Sequence, residues 1–110
     1  MKDDKLYLIH ILECIERIGQ YVTEGRQSFM TSTIIQDAVI RNLQVLAESS
    51  QRISKKMRSK YSEVDWRGLA GFRNILTHNY LGIDFERCWK IIESDIPKLK
   101  VEIMKMLEEE

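Results

Sequence analysis

Apolar positions recur along this chain with the period of an α-helix and almost nowhere with that of a strand. Leu8, Ile11, Leu12, Ile15, Ile18 and Val22 fall on one stripe at i, i+3, i+4, i+7 spacing, which predicts a helix from about Asp4 to Thr23, stopped by Gly25. Residues 24–32 read as a connecting loop. Thr33 and Gln36 have capping-box spacing, in which each side chain satisfies a free amide of the first turn. A second helix follows through Ile35, Ala38, Val39, Asn42, Leu46, Ser49 and Ile53. Asn42 and Ser49 interrupt its apolar stripe, which is unusual for a helix that only supplies core. Asp37, Arg41, Gln44 and Glu48 form a second, wholly polar stripe, which reads equally as a solvated face with an i, i+4 ion pair or as part of a site.

Residues 54–64 bring Lys55, Lys56, Arg58 and Lys60 close together. Cations near a helix C-terminus suit the helix dipole, and the same cluster suits RNA; the two readings are compatible. Asp65 is placed to cap a third helix, Trp66 to about Leu76, which buries Trp66, Leu69, Phe72 and Ile75 or Leu76. Asp84 caps a fourth, whose apolar face runs through Phe85, Cys88, Trp89, Ile92, Ile96, Leu99, Ile103 and Leu107. Pro97 lies inside that pattern and predicts a kink or break near Ser94–Ile96. The expected architecture is all-α, a small bundle of four to five helices, with residues 1–110 as a single domain. Low complexity is confined to the terminal Glu108-Glu109-Glu110.

Composition narrows the function. Lysine plus arginine equals aspartate plus glutamate at 17 each, so binding to nucleic acid must come from a local patch rather than a basic excess. Cys14 and Cys88, both within helical apolar patterns, read as buried free thiols of a reducing, cytoplasmic compartment. No apolar run reaches the ~20 residues of a membrane span, and Asp3 and Asp4 stand where a signal peptide would be hydrophobic. No metal-ligand spacing, phosphate-cradling glycine loop or nucleophile motif is present, so no metal and no cofactor are expected. His10 reads as a surface residue of the first helix.

The most informative segment is Arg73-Asn-Ile-Leu-Thr-His78-Asn-Tyr80. Arginine can offer a two-pronged fork to a phosphate, histidine can move its protons, and tyrosine adds a hydroxyl. Residues five apart on a helix diverge by about 140°, so cooperation between Arg73 and His78 calls for a helix end near Leu76–Thr77, with His78 at or just beyond the terminus. Asn74 could hold the loop. The same residues could instead cap carbonyls and pack.

Arg-Asn-x-Leu-x-His-x-Tyr resembles the signature of HepT-like toxins of the HEPN superfamily. Asp37 to Leu43 with Ala47-Glu48 resembles that family's second helix, Trp66 with Gly71-Phe72-Arg73-Asn74 its third, and Ile83 to Trp89 with Asp95-Ile96-Pro97-x-Leu99 its fourth. Phe72 stands where methionine is more usual, and Ala47-Glu48-Ser49-Ser50 replaces a commoner Gly-Glu-Ala run; neither touches the reactive groups. The resemblance implies a HEPN-type bundle and a homodimeric, metal-independent endoribonuclease, the toxin of a toxin–antitoxin pair. It implies a minimal nucleotidyltransferase antitoxin that silences the toxin by attaching AMP to Tyr80. Arg73 and His78 would then be catalytic, with Asn74, Tyr80, Asn42 and Glu48 in support. The competing expectations are a non-catalytic subunit that binds nucleotide or substrate for a nucleotidyltransferase, and a helical dimer that scaffolds a complex.

Overall fold

The computed structural model describes residues 2–109; Met1 and Glu110, the last residue of the acidic run, lie outside it. Every regular element is helical: α1 (Lys2–Tyr21), α2 (Arg26–Thr31), α3 (Thr33–Gln51), α4 (Lys55–Lys60), α5 (Trp66–His78), a 3₁₀ turn (Tyr80–Gly82), α6 (Phe85–Lys90) and α7 (Ile96–Glu109). The all-α expectation therefore holds. Four long rods, α1, α3, α5 and the continuous α6–α7, are supplemented by the short α2 and α4.

The predicted stripes form the core. Leu8, Ile11, Ile15 and Ile18 of α1 face Val39, Leu43 and Leu46 of α3, while Phe72 and Leu76 of α5 and Ile92, Ile96, Leu99 and Ile103 close the other sides. Asn42 and Ser49 are buried with that face of α3, and Asn42 Nδ2 donates to Ala38 O, one turn back on its own helix. Cys14 and Cys88 are buried free thiols, as expected. Burial pushes the Cys14 thiol up, and pushes Cys88 up to about 11, with the nearby Asp84 carboxylate adding to the effect.

Antiparallel packing of α3 and α5 follows from two contacts in opposite order along the chains, Glu48 with Arg73 and Gln44 with Leu76. The α6–α7 rod starts beside α2 and returns along α1, where Lys100 Nζ lies 3.3 Å from Glu16 Oε1.

Residues 24–32 depart from the expected loop. Gly25, at φ 92°, turns the chain out of α1 in a conformation that a side chain would strain, and α2 follows at once. Phe29 of α2 is fully buried, its ring 5.9 Å from Phe85 and 5.6 Å from Trp89, and Arg26 pairs with Glu86. One aromatic without a periodic companion gives no helical signal in sequence; its partners lie some sixty residues away. The cap of α3 also differs. Ser32 is the N-cap, accepting from Ile35 N at 3.2 Å, and Gln36 instead donates to Phe29 O and Met30 O, tying α2 to α3.

The kink expected at Ser94–Ile96 is a widened turn. Residues Ile91–Asp95 are π-helical, and Ile96 N donates to Ile91 O, five residues back. Pro97 has no N–H to give and its ring crowds the carbonyl four residues earlier; one widened turn absorbs both and the rod continues.

Asp4 is 2 % exposed, a buried carboxylate at the start of α1. It accepts from Ser54 N at 2.7 Å and from Ser54 Oγ at 2.6 Å, while Ser54 Oγ accepts from Met57 N as the N-cap of α4. Asp4, expected only to open the first helix and to be unlike a signal peptide, thus ties α1 to the joint between α3 and α4. Asp4→Ala leaves those donors without acceptors and is expected to cost roughly 1.5–3 kcal/mol, to be measured by urea unfolding. A change below about 0.5 kcal/mol would show that the clamp contributes nothing.

Candidate functional site

The site is built on the C-terminal half of α5. Asp65 starts the helix, its Oδ1 accepting from Gly68 N at 2.9 Å. The helix then runs unbroken through Arg73 and ends on His78, with Asn79 N donating to Ile75 O beyond it. His78 is the last residue of the helix, at its terminus as expected, one to two residues past Leu76–Thr77. Gln44 Nε2 of α3 donates to Leu76 O at 3.0 Å, satisfying a carbonyl that the helix end would leave open.

Continuity through His78 settles where each side chain faces. Arg73 looks toward α3, where its Nε donates to Glu48 Oε1 at 2.7 Å. The bond uses Nε only; among the described residues neither terminal amine of the guanidinium has a hydrogen-bond partner. Glu48 also lies 3.5 Å from Arg52 Nε, so one carboxylate orients two guanidiniums. The hydrogen bond from Arg73 holds the Glu48 carboxyl below the usual carboxylate range, partly opposed by desolvation. A depressed value means the pair contributes at neutral pH and is lost only as pH falls through that lowered range. Both side chains are over two-fifths exposed, so solvent screens the pair and its main effect is orientation.

His78 is exposed and has no hydrogen-bond partner among the described residues. It lies about 140° round the helix from Arg73, whereas Asn74, one turn earlier, lies within about 40° of it. A single chain therefore presents Asn74 and His78 on one face and Arg73 with Glu48 on another. Asn42 is not brought to Arg73: six residues before Glu48, it sits about 120° round α3 and points into the core. Gln44 was visible only as part of the polar stripe; its role needs the opposite helix end. Within that stripe Asp37 and Arg41 are exposed and form no ion pair among the described residues, while Gln44 and Glu48 face α5.

Beyond His78 the chain makes the 3₁₀ turn that begins at Tyr80. A Cβ at Gly82 would lie 2.7 Å from Asn79 Oδ1, so a larger residue there would displace that exposed side chain. The turn pushes Tyr80 out at 48 % exposure and leaves Leu81 wholly exposed. Beneath it lies a small cavity of about 180 Å³ lined by Phe72, Leu76, Asn79, Ile83 and Cys88 among others. His10, by contrast, is half-buried on α1 with its ring edge-on to Tyr7.

Among the described residues no three His, Cys, Asp or Glu side chains converge to hold a metal ion, and no helix is long and apolar enough to cross a membrane.

The profile of the family described as "Ribonuclease HepT-like" matches residues 11–106. A protein of Methanocaldococcus jannaschii described as "gamma-glutamylcyclotransferase and putative RNase" is 42 % identical over 109 residues, covering 98 % of this chain and 49 % of that protein. The chain therefore spans about half of that relative's length. A second protein of the same organism, a "putative RNase", is 37 % identical, over 93 % of this chain and 94 % of its own. A "probable ribonuclease HepT" of Thermococcus cleftensis is 35 % identical, over 96 % of each. No solved structure matches the chain.

Proposed function

The chain belongs to the HepT-like ribonuclease family, and on that premise we propose that it is a metal-independent endoribonuclease whose catalytic groups are Arg73 and His78. The observation that carries the reading is the guanidinium of Arg73. It is oriented through Nε by Glu48, with both terminal amines left for a phosphate, and a solvent-facing histidine ends the same helix. A family match alone would not place a free phosphate fork there.

Cleavage without a metal uses the RNA 2′-hydroxyl as nucleophile. A base takes its proton as the 2′-oxygen attacks phosphorus, and an acid delivers a proton to the departing 5′-oxygen. His78 is the one histidine on α5, and it faces away from its own Arg73. A two-fold dimer resolves both difficulties, because each His78 then meets the partner's fork and the two imidazoles divide the base and acid roles. Arg73 stabilises the charge that builds on the phosphorane, and Glu48 is the positioning residue that aims it. Asn74, which shares the His78 face, would help hold the RNA. Leu81, a large apolar side chain wholly exposed three residues after His78, supports a second copy there.

Regulation fits the exposed turn. Tyr80 is exposed in the segment following His78, and AMP attached to its hydroxyl by a nucleotidyltransferase antitoxin would add negative charge and bulk close to that histidine in the chain. In this reading the protein is the toxin of a cytoplasmic toxin–antitoxin pair.

One assay tests the core of this reading: purified protein is incubated with single-stranded RNA in EDTA. Cleavage that persists under chelation, and stops once intact-mass measurement shows AMP increments on Tyr80, is the expected result. Protein that binds nucleotide but leaves RNA intact would instead identify a non-catalytic binding subunit.

A further inference from the structure

We propose that α4 and Arg52 form a second RNA-contact site, a phosphate track that carries the substrate strand away from Arg73. The proposal rests on the ribonuclease reading above and adds to it the surface that holds the strand outside the reacting bond.

The chain is neutral overall, yet between residues 52 and 60 stand Arg52, Lys55, Lys56, Arg58 and Lys60 with no carboxylate among them. Some cations elsewhere lie against carboxylates, Lys100 with Glu16, Lys105 with Glu102 and Arg26 with Glu86, and the other unpaired ones are not gathered in one run as these five are. Among the described residues no cation of α4 makes an ion pair; Lys60 Nζ lies over the Tyr61 ring, 5.6 Å from its centre, and the buried Nε of Arg58 has no acceptor. Lys56 and Lys60 are one turn apart, a like-charge spacing that destabilises a helix unless an anion lies between. A two-turn helix carrying that repulsion persists because it is fastened from outside, by buried Met57 and by the Asp4 clamp on Ser54. The exposed residues of α4 are Lys55, Lys56, Ser59 and Lys60, a fixed face of positive charge with no apolar side chain. That composition suits a phosphate backbone and lacks the apolar face a membrane-surface helix requires.

Continuity with the reactive end decides the occupant. Glu48 holds Arg73 and Arg52 on its two carboxylate oxygens, Arg52 caps the end of α3, and α4 starts three residues later. Lys55 is therefore within about 11 Å of Arg52 along the chain. A strand advancing by about 3.4 Å per stacked nucleotide covers that gap in roughly three nucleotides.

The test is binding of a short 2′-O-methylated single-stranded RNA, which the enzyme cannot cut, to the full chain and to Lys55→Gln/Lys56→Gln/Lys60→Gln across a salt series. The triple variant is expected to bind roughly tenfold or more weakly at low salt, with the log–log salt slope reduced by about 2, as three lost phosphate contacts on a single strand require. The matching Lys→Arg triple variant should keep the wild-type slope, and circular dichroism should show both variants folded. Equal affinity and slope in the Gln variant overturn the track while leaving the ribonuclease reading intact. Wild-type protein that neither binds nor cuts RNA fails the ribonuclease reading itself. Loss of binding to anionic vesicles, with RNA binding unchanged, would assign the face to a membrane and overturn the track.

Discussion

His78→Ala is expected to lower RNA cleavage by roughly 10²–10⁴-fold, the range that removal of a positioned acid or base produces. The side chain is exposed and unbonded, so the folded state should lose almost nothing and thermal unfolding should stay within about 0.5 kcal/mol of wild type. Arg73→Ala should lose about 10²–10³-fold, the magnitude found when one donor to a developing charge is deleted. Its stability cost should be below about 1 kcal/mol, since the pair with Glu48 is substantially exposed. Glu48→Gln keeps an oxygen acceptor for Arg73 Nε but loses the charge, and should fall between wild type and Arg73→Ala. Single-turnover cleavage of a defined RNA reads all three. Mixing inactive Arg73→Ala and His78→Ala chains is the sharper measurement. If each His78 acts with the partner's Arg73, a heterodimer contains one intact pairing and part of the activity returns. No recovery from chains shown to have exchanged would sink the shared-cleft arrangement, and full activity in His78→Ala would remove the histidine from the mechanism.

Phe29→Ala is expected to have the largest effect on stability, roughly 3–5 kcal/mol, because it empties a fully buried aromatic position. Phe29 is the contact by which α2 grips the start of the α6–α7 rod, against Phe85 and Trp89. Phe29→Leu retains part of the volume and should cost much less. Urea unfolding, with Trp89 fluorescence reporting on the same contact, measures both. A loss below about 1 kcal/mol would mean that α2 is not held by this side chain.

His78→Ala and Phe29→Ala probe opposite sides of the divide between local spacing and tertiary contact. Helix periodicity is a local property, so the stripes of α1, α3, α5 and α7 and the capping aspartates Asp65 and Asp84 were legible from residue spacing alone. So was the segment that carries Arg73, His78 and Tyr80, because its side chains are chemically unusual together. The facing of those side chains was not legible. Whether the helix continues through His78 is not set by local spacing, and at its end Gln44, thirty-two residues earlier in the chain, donates to the Leu76 carbonyl. The continuous helix places His78 about 140° round from Arg73. Asn42 shows the same limit from the other side: a polar residue in an apolar stripe suggested a site, and the fold buries it against its own backbone.

Sequence by itself determined the helical class, the stripes that bury and the short run of residues proposed to handle a phosphate, since each follows from spacing within about one to four turns of helix. Tertiary structure decided what joins distant turns: Phe29 under Trp89, Asp4 clamping Ser54, Gln44 holding the end of α5, and Glu48 aiming Arg73. These are single polar or aromatic contacts between elements far apart in the chain. They have no period, and only the packed arrangement of the helices brings their partners within bonding distance.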